Sequence, residues 1–198
     1  DGSTGRLVGA FNELKNFHSQ KLKNVIAIRK NYVEAKIKAL ADGEEIFIPQ
    51  DSYIFEFEEY AKNTPFEISN MSKMLSDGVT KIGFWGIKDF NTVLKKALKK
   101  GIINDAGEMT GEIMFVMKQN GEIIISPRRM NDRFPHPILS EGEAVLTAGV
   151  IEPVVKNGKL VDSKVVLKNH TGHFRASFNS LKKARAVFKK YGFEVELG

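Results

Sequence analysis

Three of the four histidines in the chain lie at the two ends of one stretch, Phe134 to Phe174. His136 stands between two prolines, and His170 and His173 lie in the segment at the other end. Imidazole exchanges a proton near neutral pH more readily than other side chains. If the strands between these ends fold back as a hairpin, the ends meet. We therefore expect a chemical site there, with His136 and His173 as its catalytic base and acid.

Arginines flank both ends of the same stretch. Arg128, Arg129 and Arg133 come shortly before His136, and Arg175 follows His173. Guanidinium groups bind phosphate through paired hydrogen bonds and offset the charge of a phosphorane or a pyrophosphate. We expect Arg128, Arg129 and Arg175 to hold a phosphate-bearing substrate. The competing interpretation is that the histidines only bond the backbone of their own turns.

A metal site is a weaker alternative at this place. His136, His170 and His173 could supply three ligands, but the His-x-x-His spacing lacks carboxylate support. We expect no metal here. The chain has no cysteine, which excludes thiol nucleophiles, thiolate zinc sites and disulfides.

The composition is that of a globular protein with a basic balance. The 198 residues carry a net charge of +6, and no apolar run approaches the ~20 residues that span a bilayer. Cations concentrate in Lys15–Lys38 and in 175–190. Such blocks suit phosphate-rich partners, although they also occur as solvated helix faces. The lone Trp85 is expected in the core.

The N-terminal part reads as a helical region, residues 1–63. Apolar residues recur at helical spacing from Arg6 to Ala41, Asp42-Gly43 ends the helix, and an acidic stretch follows. The helix is basic and amphipathic in its second half. It could bind an acidic partner such as calmodulin, or pack on its own domain.

Residues 64–198 predict an α+β module. Asp89 is expected to cap a helix that runs to Lys100, and Ser177 to cap a last helix before an edge strand. Between them, Asn120-Gly121 and Asn157-Gly158 each join two strand-like runs, which predicts two hairpins with type I′ turns. The fold class is thus an N-terminal helical segment followed by an antiparallel β-sheet with flanking helices.

The motifs of this module resemble a family. His136, then Gly142, an Ala148-Gly149 strand, Asn157-Gly158 and the run 171–174 occur in a fixed order. This pattern resembles a C-terminal module of plant IQ-motif calmodulin-binding proteins, fungal relatives and some bacterial secreted effector or toxin proteins. The resemblance covers about Glu112 to Leu197. Pro137-Ile138 stand where the family has Ser-Ser, Thr171 replaces Ser, Phe174 replaces Tyr, and Ala176 replaces Pro.

The resemblance implies the remaining expectations. Thr171, Gly172 and Phe174 would contact substrate, and Gly142 and Gly149 would shape the pocket. The chain would be a bacterial effector or toxin domain, secreted or delivered into the cytoplasm of a target cell. Its substrate would be RNA or a nucleotide such as NAD, by ADP-ribosyl transfer or hydrolysis, with no required cofactor and with a cognate immunity protein as a further partner. The alternative is a non-enzymatic module that binds an acidic protein through a basic helix.

Overall fold

The computed structural model describes residues 79–132 and 134–198, together with parts of the N-terminal region. Those parts are residues 8–10, 12–13, 15–16, 19, 23, 30, 33–34, 37–43 and 45–48. The boundary expected at residues 63 and 64, most of the acidic stretch, and Arg133 lie outside the described residues.

Six strands form one sheet in the order β1-β3-β2-β4-β5-β6. Neighbouring strands are antiparallel, except β5 and β6, which run parallel. The α+β fold with flanking helices is therefore confirmed. The strands are β1 (Ile82–Phe84), β2 (Gly111–Lys118), β3 (Ile123–Arg129), β4 (Val145–Lys156), β5 (Lys159–Lys168) and β6 (Glu194–Leu197).

The first hairpin joins β2 to β3 through a three-residue loop. Lys118 and Glu122 face each other across it, and the Lys118 N–H donates to the Glu122 carbonyl at 2.8 Å. Gly121 has a φ of 86°, whereas Asn120 is not among the residues with positive φ. A type I′ turn needs positive φ at both central residues, so the type I′ prediction is wrong for this hairpin.

The second hairpin joins β4 to β5. Asn157 and Gly158 have φ values of 50° and 72°, as a type I′ turn requires. The register shifts between Pro153 and Val155, which indicates a β-bulge beside Pro153. A proline cannot donate to the ladder, so a shift in pairing there leaves no donor missing.

Two α-helices lie on one side of the sheet: α1 (Ile87–Lys99) and α2 (Leu181–Lys190). Ser177 caps a 3₁₀ turn, Phe178–Ser180, that leads into α2. The cap expected at Asp89 is wrong, because α1 begins earlier, at Ile87, and Asp89 lies in its first turn. There its carboxylate accepts the backbone N–H of Trp85 at 2.7 Å.

Successive side chains along each strand point to opposite faces of the sheet, so the hydrophobic core consists of two clusters, one on each face. On the side we call the helical face, Ile113, Phe115 and Ile125 pack with residues of both helices; Phe84 stacks on Phe188 at 4.3 Å between ring centroids. On the opposite side, the loop face, Met114 and Val116 pack under the segment 134–139 and Phe174. In the described part of the chain, neither helix has the length and apolar character needed to cross a membrane.

The described residues between 8 and 42 are helical. Beyond them, Phe47 forms an isolated antiparallel bridge with Val145, with N–O distances of 2.8 and 2.9 Å. The Glu45 carboxylate accepts the Ser177 hydroxyl at 2.8 Å. Residues 45–48 are thereby attached to the module.

Candidate functional site

His136 lies between Pro135 and Pro137 and begins a short 3₁₀ turn, His136–Ile138. The flanking prolines fix their own φ and restrict the residues before them, so the turn has little backbone freedom. The imidazole is only 3% exposed, and its Nε2 lies 2.8 Å from the Gly149 carbonyl oxygen in β4. A carbonyl can only accept, so Nε2 carries the proton and donates it. In the neutral ring, Nδ1 then holds the lone pair.

Burial lowers the pKa of His136 to about 4. The Gly149 carbonyl and the charge of Glu112 oppose that effect, while the charges of Arg128 and His173 add to it. The ring is therefore neutral at pH 7. In a two-histidine mechanism, His136 would therefore accept a proton, and His173 would have to donate one.

Arg128 and Glu112 form the charged part of the site. They are directly opposite each other on β3 and β2, and they form an ion pair on the loop face. The same guanidinium donates to the Phe134 carbonyl at 2.9 Å, two residues before His136. Arg128 therefore joins the sheet to the segment that carries the histidine, and its donors are partly occupied by protein groups.

The turn after β5 carries the second half of the site. The Thr171 hydroxyl, 8% exposed, accepts the backbone N–H of Phe174 at 3.3 Å, and the Phe174 ring is buried on the loop face. Asn169 closes the turn by donating to the Ala176 carbonyl at 3.0 Å. His173 is half-buried between these residues. Thr171 and Phe174 thus hold the turn that positions His173.

The structure brings His136 and His173 near each other. They lie close enough for a positive charge on His173 to lower the pKa of His136. The segment 134–139 and the buried Phe174 pack in the same apolar cluster. The two ends of the stretch therefore meet on the loop face, as a folded hairpin predicts.

The other expected residues do not all converge on this point. Successive strand residues face opposite sides, so Arg129 lies away from Arg128, and its Nε donates to the Lys100 carbonyl at 3.1 Å. Arg175 is exposed with a φ of 47°. Gly142 closes the 136–138 turn by donating to the Pro137 carbonyl at 2.9 Å.

Of the two remaining glycines, only Gly149 is sterically required. A Cβ on Gly149 would collide with the Lys168 carbonyl of the neighbouring strand, whereas a Cβ on Gly172 would meet nothing within 4 Å. Gly149 therefore allows β4 and the end of β5 to approach closely beside His136.

A second feature is the charge of the helical face. α1 carries four lysines and one acid, and α2 carries five cations and no acid. These nine cations are Lys88, Lys95, Lys96, Lys99, Lys182, Lys183, Arg185, Lys189 and Lys190. Each helix buries its apolar stripe on the sheet, so the polar side of each helix forms a basic surface, which we call the basic face.

In the described part of the module outside the two helices, about half of the charged side chains form ion pairs. Ion pairs join Lys81–Glu141, Glu112–Arg128, Lys118–Glu122, Lys164 with Glu194 and Glu196, and Lys168–Glu152. By contrast, apart from Lys183, the cations of the basic face form no ion pair with any residue that the structure describes. The asymmetry leaves a positive field over one side of the molecule.

The chain passes from one side of the sheet to the other between His173 and α2. Phe174 packs on the loop face, and Leu181 packs on the helical face. His173 and Arg175 lie at this crossing. The candidate histidine pair and the basic face are therefore linked by one short segment of the chain.

Sequence reasoning missed two residues. Glu112, the partner of Arg128, could have been found from the register of a three-residue hairpin loop. Trp85 was expected in the core, but it is 64% exposed. Among the described residues, no group of three or more His, Asp or Glu side chains is arranged to hold a metal ion.

Compared with protein-family models, curated proteins and solved structures, the chain matches none of them.

Proposed function

We propose that the protein binds the phosphate backbone of a nucleic acid on its basic face. The observation that carries the proposal is the ratio of nine cations to one acid on α1 and α2. Like charges at this density repel one another, and a polyanion removes that repulsion while releasing its own counterions. An acidic protein would be drawn by the same field, but its carboxylates lack the regular spacing of a phosphate chain.

The spacing of the cations supports a polymer rather than a single phosphate. Lys88, Lys95 and Lys99 follow one side of α1, and at 1.5 Å per residue they extend over about 16 Å. Lys182, Arg185 and Lys189 follow one side of α2 in the same way. Contacts distributed like this position a backbone without reading its sequence. We therefore expect little sequence preference.

The test compares two double variants with the same loss of charge. Lys95→Gln with Lys189→Gln removes one cation from each helix. Lys156→Gln with Lys164→Gln removes two exposed or half-exposed cations outside the helices. Fluorescence anisotropy with a labelled 12-nucleotide RNA at ~0.1 M salt should show affinity reduced on the order of ten-fold for the first variant only. Equal affinities for both variants would contradict RNA binding on the basic face. An acidic peptide serves as the second probe, and tighter binding of this peptide than of RNA would favour an acidic protein as the partner.

A second candidate function is catalysis on a phosphate-bearing substrate, either RNA or NAD. The specific observation that favours it is the approach of His136 and His173 on the loop face. In this proposal neutral His136 accepts a proton and His173 donates one. Arg175, at the crossing toward the basic face, contacts phosphate. Under this second candidate, the chain is an effector or toxin domain delivered into a target cell, as the family resemblance implies. It would then have a cognate immunity protein as a partner.

The catalytic candidate has its own test. RNA integrity and NAD concentration are followed together in cells that express the wild type or His173→Gln. His173 is half-buried, so the substitution should leave folding intact. Loss of RNA cleavage or NAD consumption in the variant would support catalysis. Unchanged activity in both readouts would exclude His173 as the proton donor.

A further inference from the structure

A cavity of about 320 Å³ lies between α1 and the β4–β5 hairpin. Its apolar lining comes from Ile87, Leu94 and Leu160, of which Leu94 belongs to the core of the helical face and Leu160 packs against it. The cavity is therefore on the same side of the sheet as both helices. Its volume is within the range of about 300–1,000 Å³ that is usual for small-molecule sites.

Cations and neutral polar groups supply the rest of the lining. Asn91 and Lys95 come from α1, and Gly158, Lys159 and Ser163 come from the hairpin. Among the described residues, none that lines the cavity is acidic. Two ammonium groups without a carboxylate attract an anion, and the apolar side favours an anion that also carries a ring or an alkyl group.

The two lysines are not neutralised by nearby acids. Within the part of the chain that the structure describes, neither Lys95 nor Lys159 forms an ion pair. The acids on β6, the strand beside β5, are engaged elsewhere, because Glu194 and Glu196 pair with Lys164 at 3.5 and 3.0 Å. The positive charge of the cavity is therefore available to a ligand.

β5 is distorted where it borders the cavity. Four residues, 161–164, lie opposite Val154 alone, and within this bulge Asp162 and Ser163 have φ values of 50° and 48°, which are unfavourable for residues other than glycine. Bulges re-aim side chains and are frequent beside functional sites. The bulge places Ser163 at the cavity. Neither its hydroxyl nor the Asn91 amide bonds any residue that the structure describes.

We propose that this cavity binds a nucleoside monophosphate, with the phosphate at Lys95 and Lys159 and the base against Leu94 and Leu160. A phosphate monoester carries a charge of about −1.5 to −2 at pH 7, which suits two lysines better than the single charge of an alkyl carboxylate. The edge of a base also offers donors and acceptors to the Asn91 amide, which an alkyl chain does not. This site goes beyond the binding of an RNA backbone and shares only Lys95 with it.

Isothermal titration calorimetry of the full chain with adenosine monophosphate is the first test. The nucleotide should bind at least about ten-fold more tightly than adenosine or inorganic phosphate, because each of these occupies only one half of the cavity. No binding of the nucleotide up to ~5 mM would overturn the proposal. So would inorganic phosphate that binds as tightly as the nucleotide, or octanoate that binds more tightly.

The charged half of the cavity is tested by two exposed lysines that flank the same turn. Lys156 and Lys159 are opposite each other in the β4–β5 ladder, but Lys156 does not line the cavity. Lys159→Gln should lower affinity for adenosine monophosphate on the order of ten-fold, and Lys156→Gln should leave it within about two-fold. Equal losses would mean that only the general positive field acts, and would overturn the site.

The apolar half is tested by adding a ring to α1. Asn91 and Thr92 are both exposed, but only Asn91 lines the cavity. Asn91→Phe should fill the space for the base and lower affinity for adenosine monophosphate by about ten-fold or more, while inorganic phosphate binds within about two-fold of wild type. Thr92→Phe is the matched control and should bind the nucleotide as wild type does. Unchanged nucleotide affinity in Asn91→Phe would overturn the placement of the base.

A nucleoside phosphate is present both as a free nucleotide and at the phosphorylated 5′ end of an RNA strand. Two 12-nucleotide RNAs of one sequence, with and without a 5′ phosphate, distinguish these sources by fluorescence anisotropy. If the strand end enters the cavity, the phosphorylated RNA binds more tightly and Lys159→Gln removes the difference. If only the free nucleotide enters, both RNAs bind equally.

The cavity and the basic face fail in different ways. If adenosine monophosphate does not bind while Lys95→Gln with Lys189→Gln weakens RNA binding, the cavity proposal is wrong and the basic face stands. If that double variant binds RNA as wild type does while Lys159→Gln weakens nucleotide binding, the RNA proposal is wrong and the cavity stands.

Discussion

The imidazole of His136 donates to the carbonyl oxygen of Gly149, 2.8 Å away, and so joins the 136–138 turn to β4. Both groups are buried, so no water molecule could take the place of either partner if this hydrogen bond were lost. The same segment is also bonded to β3, because the Phe134 carbonyl accepts the guanidinium of Arg128 at 2.9 Å.

Replacing His136 with alanine should lower the free energy of unfolding by about 2–4 kcal/mol. The change leaves a cavity and a buried carbonyl without its donor. His136→Gln is the matched control, since its amide nitrogen can reach a position near that of Nε2 and should recover at least half of the loss. Urea unfolding measures both variants. A loss below ~0.5 kcal/mol for the alanine variant would contradict the bond's importance.

Stability should fall with acid through the same residue. The pKa of His136 is about 4 in the folded chain and 6.5 in the unfolded chain. Between these values the unfolded state binds the proton and the folded state does not, so the free energy of unfolding decreases as pH drops from 6.5 to 4. The full effect is about 3 kcal/mol, and above pH 6.5 it vanishes.

The measurement is urea unfolding of wild type and His136→Gln at several pH values from 7.5 to 4. The other groups whose charges act on the ring, Arg128, Glu112 and His173, are present in both proteins. The difference between the two proteins isolates the histidine. On acidification to pH 4, wild type should lose about 3 kcal/mol more than His136→Gln, so that the variant becomes the more stable protein. A difference independent of pH would disprove the buried neutral state.

The two glycines beside the site should respond in opposite ways to alanine. At Gly149 the new Cβ meets backbone of the neighbouring strand, which cannot move without disturbing the sheet, so the loss should reach at least about 2 kcal/mol. At Gly172 the Cβ meets nothing, and the change should stay within about 0.5 kcal/mol. Thermal unfolding compares the pair, and equal melting temperatures would contradict the packing at Gly149.

The strands and the paired ends of the 134–174 stretch could be predicted from the sequence, because alternation and turn residues are local signals. The register of the β2–β3 hairpin was harder to predict. A type I′ turn at Asn120-Gly121 would pair Gln119 with Glu122 and place Glu112 opposite Arg129. The three-residue loop instead places it opposite Arg128. A shift of one residue moves a side chain to the other face of the sheet. Only the register set by the three-residue loop pairs Glu112 with Arg128 beside His136.

Trp85 could not be placed from its type alone. Large aromatic residues are usually buried, and nothing local reveals that Phe84 takes the inward position at the end of β1. The accumulation of cations on one side was also partly hidden. The cations of α1 and those of α2 are about 80 residues apart in the sequence, and only the packing of both helices on the same face of the sheet brings them together.

The most direct test of nucleic-acid binding by the basic face is the salt dependence of RNA affinity. The logarithm of the association constant should fall linearly with the logarithm of salt concentration, with a slope of about −0.7 per phosphate contacted in a single strand. We predict that Lys95→Gln with Lys189→Gln makes the slope shallower by about 1.4 relative to wild type, and that Lys156→Gln with Lys164→Gln leaves it unchanged. A wild-type affinity independent of salt, or equal slopes in all three proteins, would contradict the account.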